Sequence, residues 1–119
     1  MTHIALAVRD QERSRRFYET YFGFDPASAY VADDGVLLIE GPDDVTLALG
    51  ETEEPIQLPS FFHFGFRAAG DPKEVRAFRD RLAGDGIEIG GFWDEPDYVS
   101  VKFRDPDRYV IEVGWEPRG

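Results

Sequence analysis

Three residues stand where their chemistry is not needed for packing. His3 lies in THIALAV and His63 in FFHFGFRA, and the chain has no other histidine. Glu112 interrupts the apolar run YVIEVG in the same way. A large apolar side chain would pack more simply at each place, because burying a polar group without a partner costs about 1–3 kcal/mol. Two imidazoles and one carboxylate brought to one point form a 2-His-1-carboxylate set. Such a set suits a divalent ion (Fe, Mn, Ni, Co or Zn) and leaves coordination positions open for a substrate.

The elements around these residues must do the converging. Thr2 to Val8 alternates as a strand, and Gln11 to Phe22 carries Phe17, Tyr18, Tyr21 and Phe22 at helical spacing before the stop at Gly23. Strands are expected at Ser28 to Ala32, Val36 to Glu40 and Val45 to Leu49, with turns at Asp33-Asp34-Gly35 and Gly41-Pro42-Asp43. Glu51 to Pro59 is polar and bracketed by prolines, which reads as a linker. The same order then recurs. A strand is expected at Phe61 to Ala68, and a helix from the N-cap Asp71 to Leu82 with Val75, Phe78 and Leu82 as its stripe. Gly84 and Gly86 end that helix, and strands follow at Ile87 to Phe92, Tyr98 to Phe103 and Tyr109 to Trp115.

The recurrence extends to individual residues. His3 corresponds to His63, Asp10 to Asp71 and Phe17 to Phe78, and GPDDVTLALG aligns with DPDRYVIEVG without a gap. The expected architecture is α+β: two tandem βαβββ modules, residues 1–50 and 61–116, joined by a linker at 51–60 into one domain spanning 1–119.

Successive side chains of a strand point to opposite faces. Ile4, Leu6 and Val8 therefore oppose His3, Ala5 and Ala7, while Phe62, Phe64 and Phe66 oppose His63, Gly65 and Arg67. Ile111, Val113 and Trp115 oppose Val110, Glu112 and Gly114. One face is bulky and faces helices. The other is lined by small residues and leaves a hollow into which His3, His63 and Glu112 project. Arg67, Tyr98, Ser100 and Lys102 are the other polar groups expected on the hollow side, and are candidates to bind and polarise a substrate.

Composition excludes several function classes. The net charge is −11, from 24 acidic and 13 basic residues, which repels nucleic-acid phosphates and anionic membrane surfaces. No apolar run approaches the roughly 18 residues needed to span a bilayer. No charged leader and apolar stretch opens the chain, so no signal peptide is read. The absence of cysteine removes disulfides and thiolate chemistry and fits a cytoplasmic location.

HIALAVRDQERSRRFYETYFGF and DPDRYVIEV resemble the opening strand and helix and the closing turn and strand of the vicinal oxygen chelate superfamily. That superfamily holds glyoxalase I, fosfomycin-resistance thiol transferases, extradiol dioxygenases, methylmalonyl-CoA epimerase and bleomycin-resistance proteins. The resemblance covers essentially the whole chain, with Arg108 where the family usually has glycine. It implies an open, cupped mixed β-barrel built from paired modules around one metal held by His3, His63 and Glu112, and a homodimer. The fourth ligand of the glyoxalase and epimerase branches falls on Ala48, which cannot coordinate, so lactoylglutathione lyase activity is not expected. The resemblance implies a divalent-metal-dependent enzyme acting on a small substrate with adjacent oxygens, by glyoxalase-like, thiol transferase-like or dioxygenase-like chemistry. The alternative is a bleomycin-resistance-type protein that sequesters a cationic small molecule without catalysis.

Overall fold

Short-range capping and strand alternation account for most of the observed elements. A computed structural model describes residues 2–68 and 70–117. The chain divides into two compact units, Met1–Gln57 and Leu58–Gly119. The fold is α+β, with one helix and one four-stranded mixed sheet in each unit.

In the first unit, β1 (Thr2–Val8) leads into α1 (Gln11–Phe22), then β2 (Tyr30–Val31), β3 (Leu37–Glu40) and β4 (Val45–Glu51). The Asp10 carboxylate accepts the Arg13 N–H and caps α1, and Gly23 closes it at φ 70°, a left-handed conformation that glycine adopts without strain. The sheet order is β1-β4-β3-β2, with β1 parallel to β4 and the other pairs antiparallel. Leu6, Val8, Leu37, Ile39, Leu47 and Leu49 are buried together with Tyr18 and Phe24. Each such side chain stabilises by about 1.5–3 kcal/mol relative to exposure. On the opposite face, His3 lies across from Thr46, Ala5 from Ala48 and Ala7 from Gly50, and the three β1 residues are exposed.

The second unit repeats this plan with β5 (Phe64–Arg67), α2 (Pro72–Gly84), β6 (Ile89–Glu95), β7 (Tyr98–Arg104) and β8 (Val110–Trp115). Its order, β5-β8-β7-β6, again pairs the first strand parallel to the fourth. Val75 and Leu82 of α2 are buried with Val99, Val101, Phe103, Ile111 and Val113, and the Phe78 ring lies 5.7 Å from that of Phe103. Arg76 on α2 grips Asp94 on β6 through two hydrogen bonds of 2.8 Å each. The repeat reaches the backbone: Asp44 and Arg108, equivalent in the two modules, both adopt positive φ (62° and 74°). The glycine that the resemblance leads one to expect at 108 is therefore replaced by a side chain in the left-handed region.

Several element boundaries differ from the sequence expectation, and four of the differences have a local cause. The strand expected at Ser28 to Ala32 is only Tyr30–Val31, because Asp25 caps a 3-10 turn at Pro26–Ser28 by accepting the Ala27 N–H. β5 begins at Phe64 rather than Phe61: the Phe62 N–H bonds to the Pro59 carbonyl in a turn, so His63 precedes the strand instead of interrupting it. β6 starts at Ile89 because the Ile87 N–H is taken by the Leu82 carbonyl at the end of α2. β4 runs on through Glu51, whose carboxylate accepts the Gln11 N–H.

The Arg76–Asp94 clamp gives an expectation for acid stability. The hydrogen bonds from Arg76 outweigh desolvation and hold the Asp94 carboxyl below its ordinary 3.8. A folded value below the unfolded one means that the contribution is present above about pH 3.8 and is lost as pH falls through the lower folded value. Asp94→Asn is expected to lower the urea midpoint slightly at pH 7 and by less at pH 2, since an exposed pair contributes little and part of that is lost as the carboxyl protonates. An equal loss at both pH values would show that charge is not the cause.

Candidate functional site

The polar face of the second sheet is assembled by cross-strand register. Glu112 on β8 sits between Gly65 on β5 and Lys102 on β7, while Ser100 is paired with Gly114 and Trp93 with Ser100. Side chains directly opposite each other share a face. Gly65 permits this: a Cβ there would lie 2.6 Å from the Glu112 carbonyl oxygen, so only glycine lets β5 approach so closely.

Glu112 is the hub. Its Oε2 accepts hydrogen bonds from the hydroxyls of Tyr98 and, at 2.8 Å, Ser100. Its Oε1 faces His63 Nε2 at 3.5 Å and Lys102 Nζ at 4.0 Å. Burial by itself pushes this carboxyl up, but the hydrogen bonds from Tyr98 and Ser100 and the charges of Lys102 and His63 outweigh it and leave the value below the ordinary carboxylate. The same surroundings act oppositely on Tyr98, whose phenol is raised first by burial and then by its bond to the carboxylate. Both shifts leave a Glu112 anion and a Tyr98 hydroxyl at neutral pH.

His63 is oriented from behind. Its Nδ1 lies 2.9 Å from the Phe61 carbonyl, which can only accept, so Nδ1–H donates there and Nε2 is the nitrogen turned toward Glu112. Two donors each about 2.1 Å from one ion lie roughly 3–3.5 Å apart. The 3.5 Å between Nε2 and Oε1 therefore fits a shared ion, and the backbone-anchored imidazole is what such a ligand requires.

The two groups stand on the wall of a cavity of about 380 Å³, lined also by Gly65, Arg67, Tyr98 and Trp115. Arg67 is hydrogen-bonded to Glu116 at 3.1 Å. The Lys102 ammonium lies 5.2 Å from the centre of the Trp93 ring, which is 40% exposed, and the Phe61 ring is 83% exposed beside His63.

The structure thus brings together five of the residues singled out from sequence, His63, Glu112, Tyr98, Ser100 and Lys102. Arg67 lies on the same cavity but is engaged by Glu116. His3 is exposed on the corresponding face of the first unit, which carries Ala48 where the second carries Glu112. Among the described residues, no group of three or more His, Cys, Asp or Glu side chains is assembled into a metal cluster. Among the described residues, no helix is long and apolar enough to cross a membrane. The Phe61 carbonyl and Glu116 were not foreseen as parts of the site. A main-chain acceptor has no sequence signature.

The family profile described as the glyoxalase/bleomycin resistance protein/dioxygenase superfamily matches residues 1–113. The chain belongs to this superfamily. Solved structures with the superfamily's paired fold resemble it over nearly all their length. A possible glyoxalase from Bacillus cereus is 26% identical, with a TM-score of 0.73 and coverage of 95% of this chain and 96% of that one. The genomically encoded fosfomycin resistance protein FosX from Listeria monocytogenes is 18% identical, with a TM-score of 0.79 and coverage of 98% and 93%. TnmS3, an antibiotic binding protein from Streptomyces sp. CB03234, is 24% identical, with a TM-score of 0.75 and coverage of 98% and 95%. No curated protein matches the sequence. The superfamily thus spans enzymes and ligand-binding proteins, and the site chemistry must separate them.

Proposed function

We propose that this member of the superfamily is a divalent-metal-dependent enzyme acting on a small substrate with two adjacent oxygens. The observation that carries the reading is the pairing of His63 Nε2 with Glu112 Oε1 at 3.5 Å on a cavity wall, with Nδ1 anchored to the Phe61 carbonyl. His63 and Glu112 would hold the ion, and His3 is the further donor that the family resemblance implies. A mutant of the Listeria fosfomycin resistance protein has been captured with Mn(II) and 1S,2S-dihydroxypropylphosphonic acid, which supports such an ion in this fold.

When bound, the ion supplies Lewis acidity toward the substrate oxygens. Tyr98 and Ser100 fix the Glu112 carboxylate in one orientation, and the Phe61 carbonyl does the same for His63. Arg67 and Glu116 close one side of the cavity, and Trp115 gives it an apolar wall. Lys102 adds a positive charge beside the carboxylate.

The second reading, sequestration of a cationic aromatic molecule, is favoured by the exposed rings of Phe61 and Trp93 and the net charge of −11. Metal analysis separates the two. The enzyme reading expects about one equivalent of divalent metal per chain after Mn(II) loading, and its loss in His63→Ala and in His3→Ala with the fold retained by circular dichroism. Metal-free protein that binds a cationic drug tightly would establish sequestration instead.

A further inference from the structure

Glycine inside a strand weakens it, because it packs no side chain and loses more conformational freedom on folding than any other residue. Such a glycine therefore needs a reason. Gly114 in β8 has neither of the common ones. Among the described residues, the glycines with positive φ are Gly23, Gly35 and Gly86, so the backbone at 114 is open to any residue. Packing does not require glycine there either. A Cβ on Gly114 would lie 3.6 Å from Glu112 Oε2 and 3.8 Å from the Cβ and Oγ of Ser100, which is ordinary contact. Gly65 is the contrast, since its Cβ would lie 2.6 Å from a main-chain oxygen.

What a side chain at 114 would take up is cavity. Gly114 lines the same cavity of about 380 Å³ as His63 and Glu112. Register pairs it with Arg67 on β5 and with Ser100 on β7, so it is a bare stretch of main chain between longer side chains. It shares a face with Glu112 and stands about 7 Å from it along β8, two residues on. The first unit repeats the feature. Gly50 holds the equivalent place at the end of GPDDVTLALG, and its φ is not positive either. Its Cβ would meet nothing nearer than the Leu6 carbonyl oxygen at 4.0 Å, and it lines a hollow of about 320 Å³. A glycine kept at both equivalent places, with no backbone or packing need for it, is explained by the space it leaves.

Resting on the metal reading above, we propose that Gly114 is a specificity-determining residue. The substituent that the substrate carries beside its two adjacent oxygens lies over the Gly114 main chain, between Arg67 and Ser100, and the missing side chain sets how large it can be. The substrate class is then a vicinal-oxygen compound bearing a substituent of ring size. A methyl group on the chelating end does not reach across the distance from Glu112 to Gly114, whereas an aromatic ring does.

The test uses Mn(II)-loaded protein and two chelators that differ only in that substituent, acetohydroxamic acid and benzohydroxamic acid, with binding followed by water-proton relaxation. Wild type, Gly114→Ala and Gly114→Val are compared, with urea unfolding as the check on the fold. Wild type is expected to bind benzohydroxamic acid more tightly than acetohydroxamic acid. Gly114→Ala is expected to weaken benzohydroxamic acid by at least about tenfold, and Gly114→Val by more, because each added carbon overfills the space meant for the ring. Acetohydroxamic acid and Mn(II) alone should keep their wild-type affinities in Gly114→Ala, and its urea midpoint should be equal or higher, since a strand glycine has been removed. A purely structural glycine would give the reverse pattern, a loss of stability with no distinction between the two chelators. The proposal is overturned, while the metal reading stands, if loaded wild type does not prefer benzohydroxamic acid, or if Gly114→Ala weakens both chelators alike or neither. A Gly114→Ala protein that unfolds or releases Mn(II) overturns it too, by showing that the glycine serves the strand or the ion. If wild type binds no Mn(II), both readings fall together.

Discussion

Glu112→Gln lowers the affinity for Mn(II) by at least about 100-fold while the protein remains folded. Loss of a partner that merely orients a ligand costs about 10- to 100-fold in metal affinity, and loss of the ligand's own charge is expected to exceed that. Gln has nearly the shape of Glu, and its amide oxygen can still accept from Tyr98 and Ser100, whose hydroxyls now meet Oε2. Those hydroxyls are thus not left unpaired, and the fold is expected to lose no more than about 1 kcal/mol. Only the charge is removed. Metal content by mass spectrometry and an Mn(II) titration by electron paramagnetic resonance read the result, with thermal unfolding as the check on folding. Unchanged affinity would remove Glu112 from the ligand set and with it the enzymatic reading.

Gly65→Ala costs about 1–3 kcal/mol of stability and also weakens the metal, although residue 65 touches no ion. The added methyl would sit 2.6 Å from the Glu112 carbonyl oxygen and 3.4 Å from the Glu112 Cβ, and backbone cannot rotate away as a flexible side chain can. Overpacking of this size is relieved by moving a strand. The strand that gives is β5, an edge of its sheet paired only to β8 within the unit, and His63 stands directly before it. Widening the β5–β8 spacing increases the 3.5 Å between His63 Nε2 and Glu112 Oε1. Chemical denaturation and Mn(II) titration, done side by side, should both show losses. A stable Gly65→Ala protein with wild-type metal affinity would mean that the strands tolerate the methyl and that the close approach is not what sets the site.

The chain itself made its duplication plain. Asp71 announces a helix cap, and both it and its repeat partner Asp10 do cap, accepting from Lys73 and Arg13. The alternation of Ile4, Leu6 and Val8 against His3, Ala5 and Ala7 matches β1, where Leu6 and Val8 are buried, Ile4 is half-buried and the other three are exposed. These signals are legible because capping and alternation act between residues a few positions apart. The same locality explains the misplaced ends. The Pro59–Phe62 turn and the Leu82–Ile87 bond each claim one N–H that a periodic pattern assigns to a strand, and a pattern of side chains does not record which donor is already spent.

Tertiary structure decided the rest of the site. That Glu112 falls beside Gly65 on one side and Lys102 on the other is a matter of register between strands distant in sequence. Which oxygen of Glu112 is bound by Tyr98 and Ser100, and which is left facing His63 and Lys102, follows from that register. The sequence by itself determined the elements, the repeat and the residues with chemistry to offer, since those depend on local periodicity and residue type. Only the folded chain decided how their donors and acceptors pair, because that pairing depends on distances of a few tenths of an ångström between segments that local sequence does not relate.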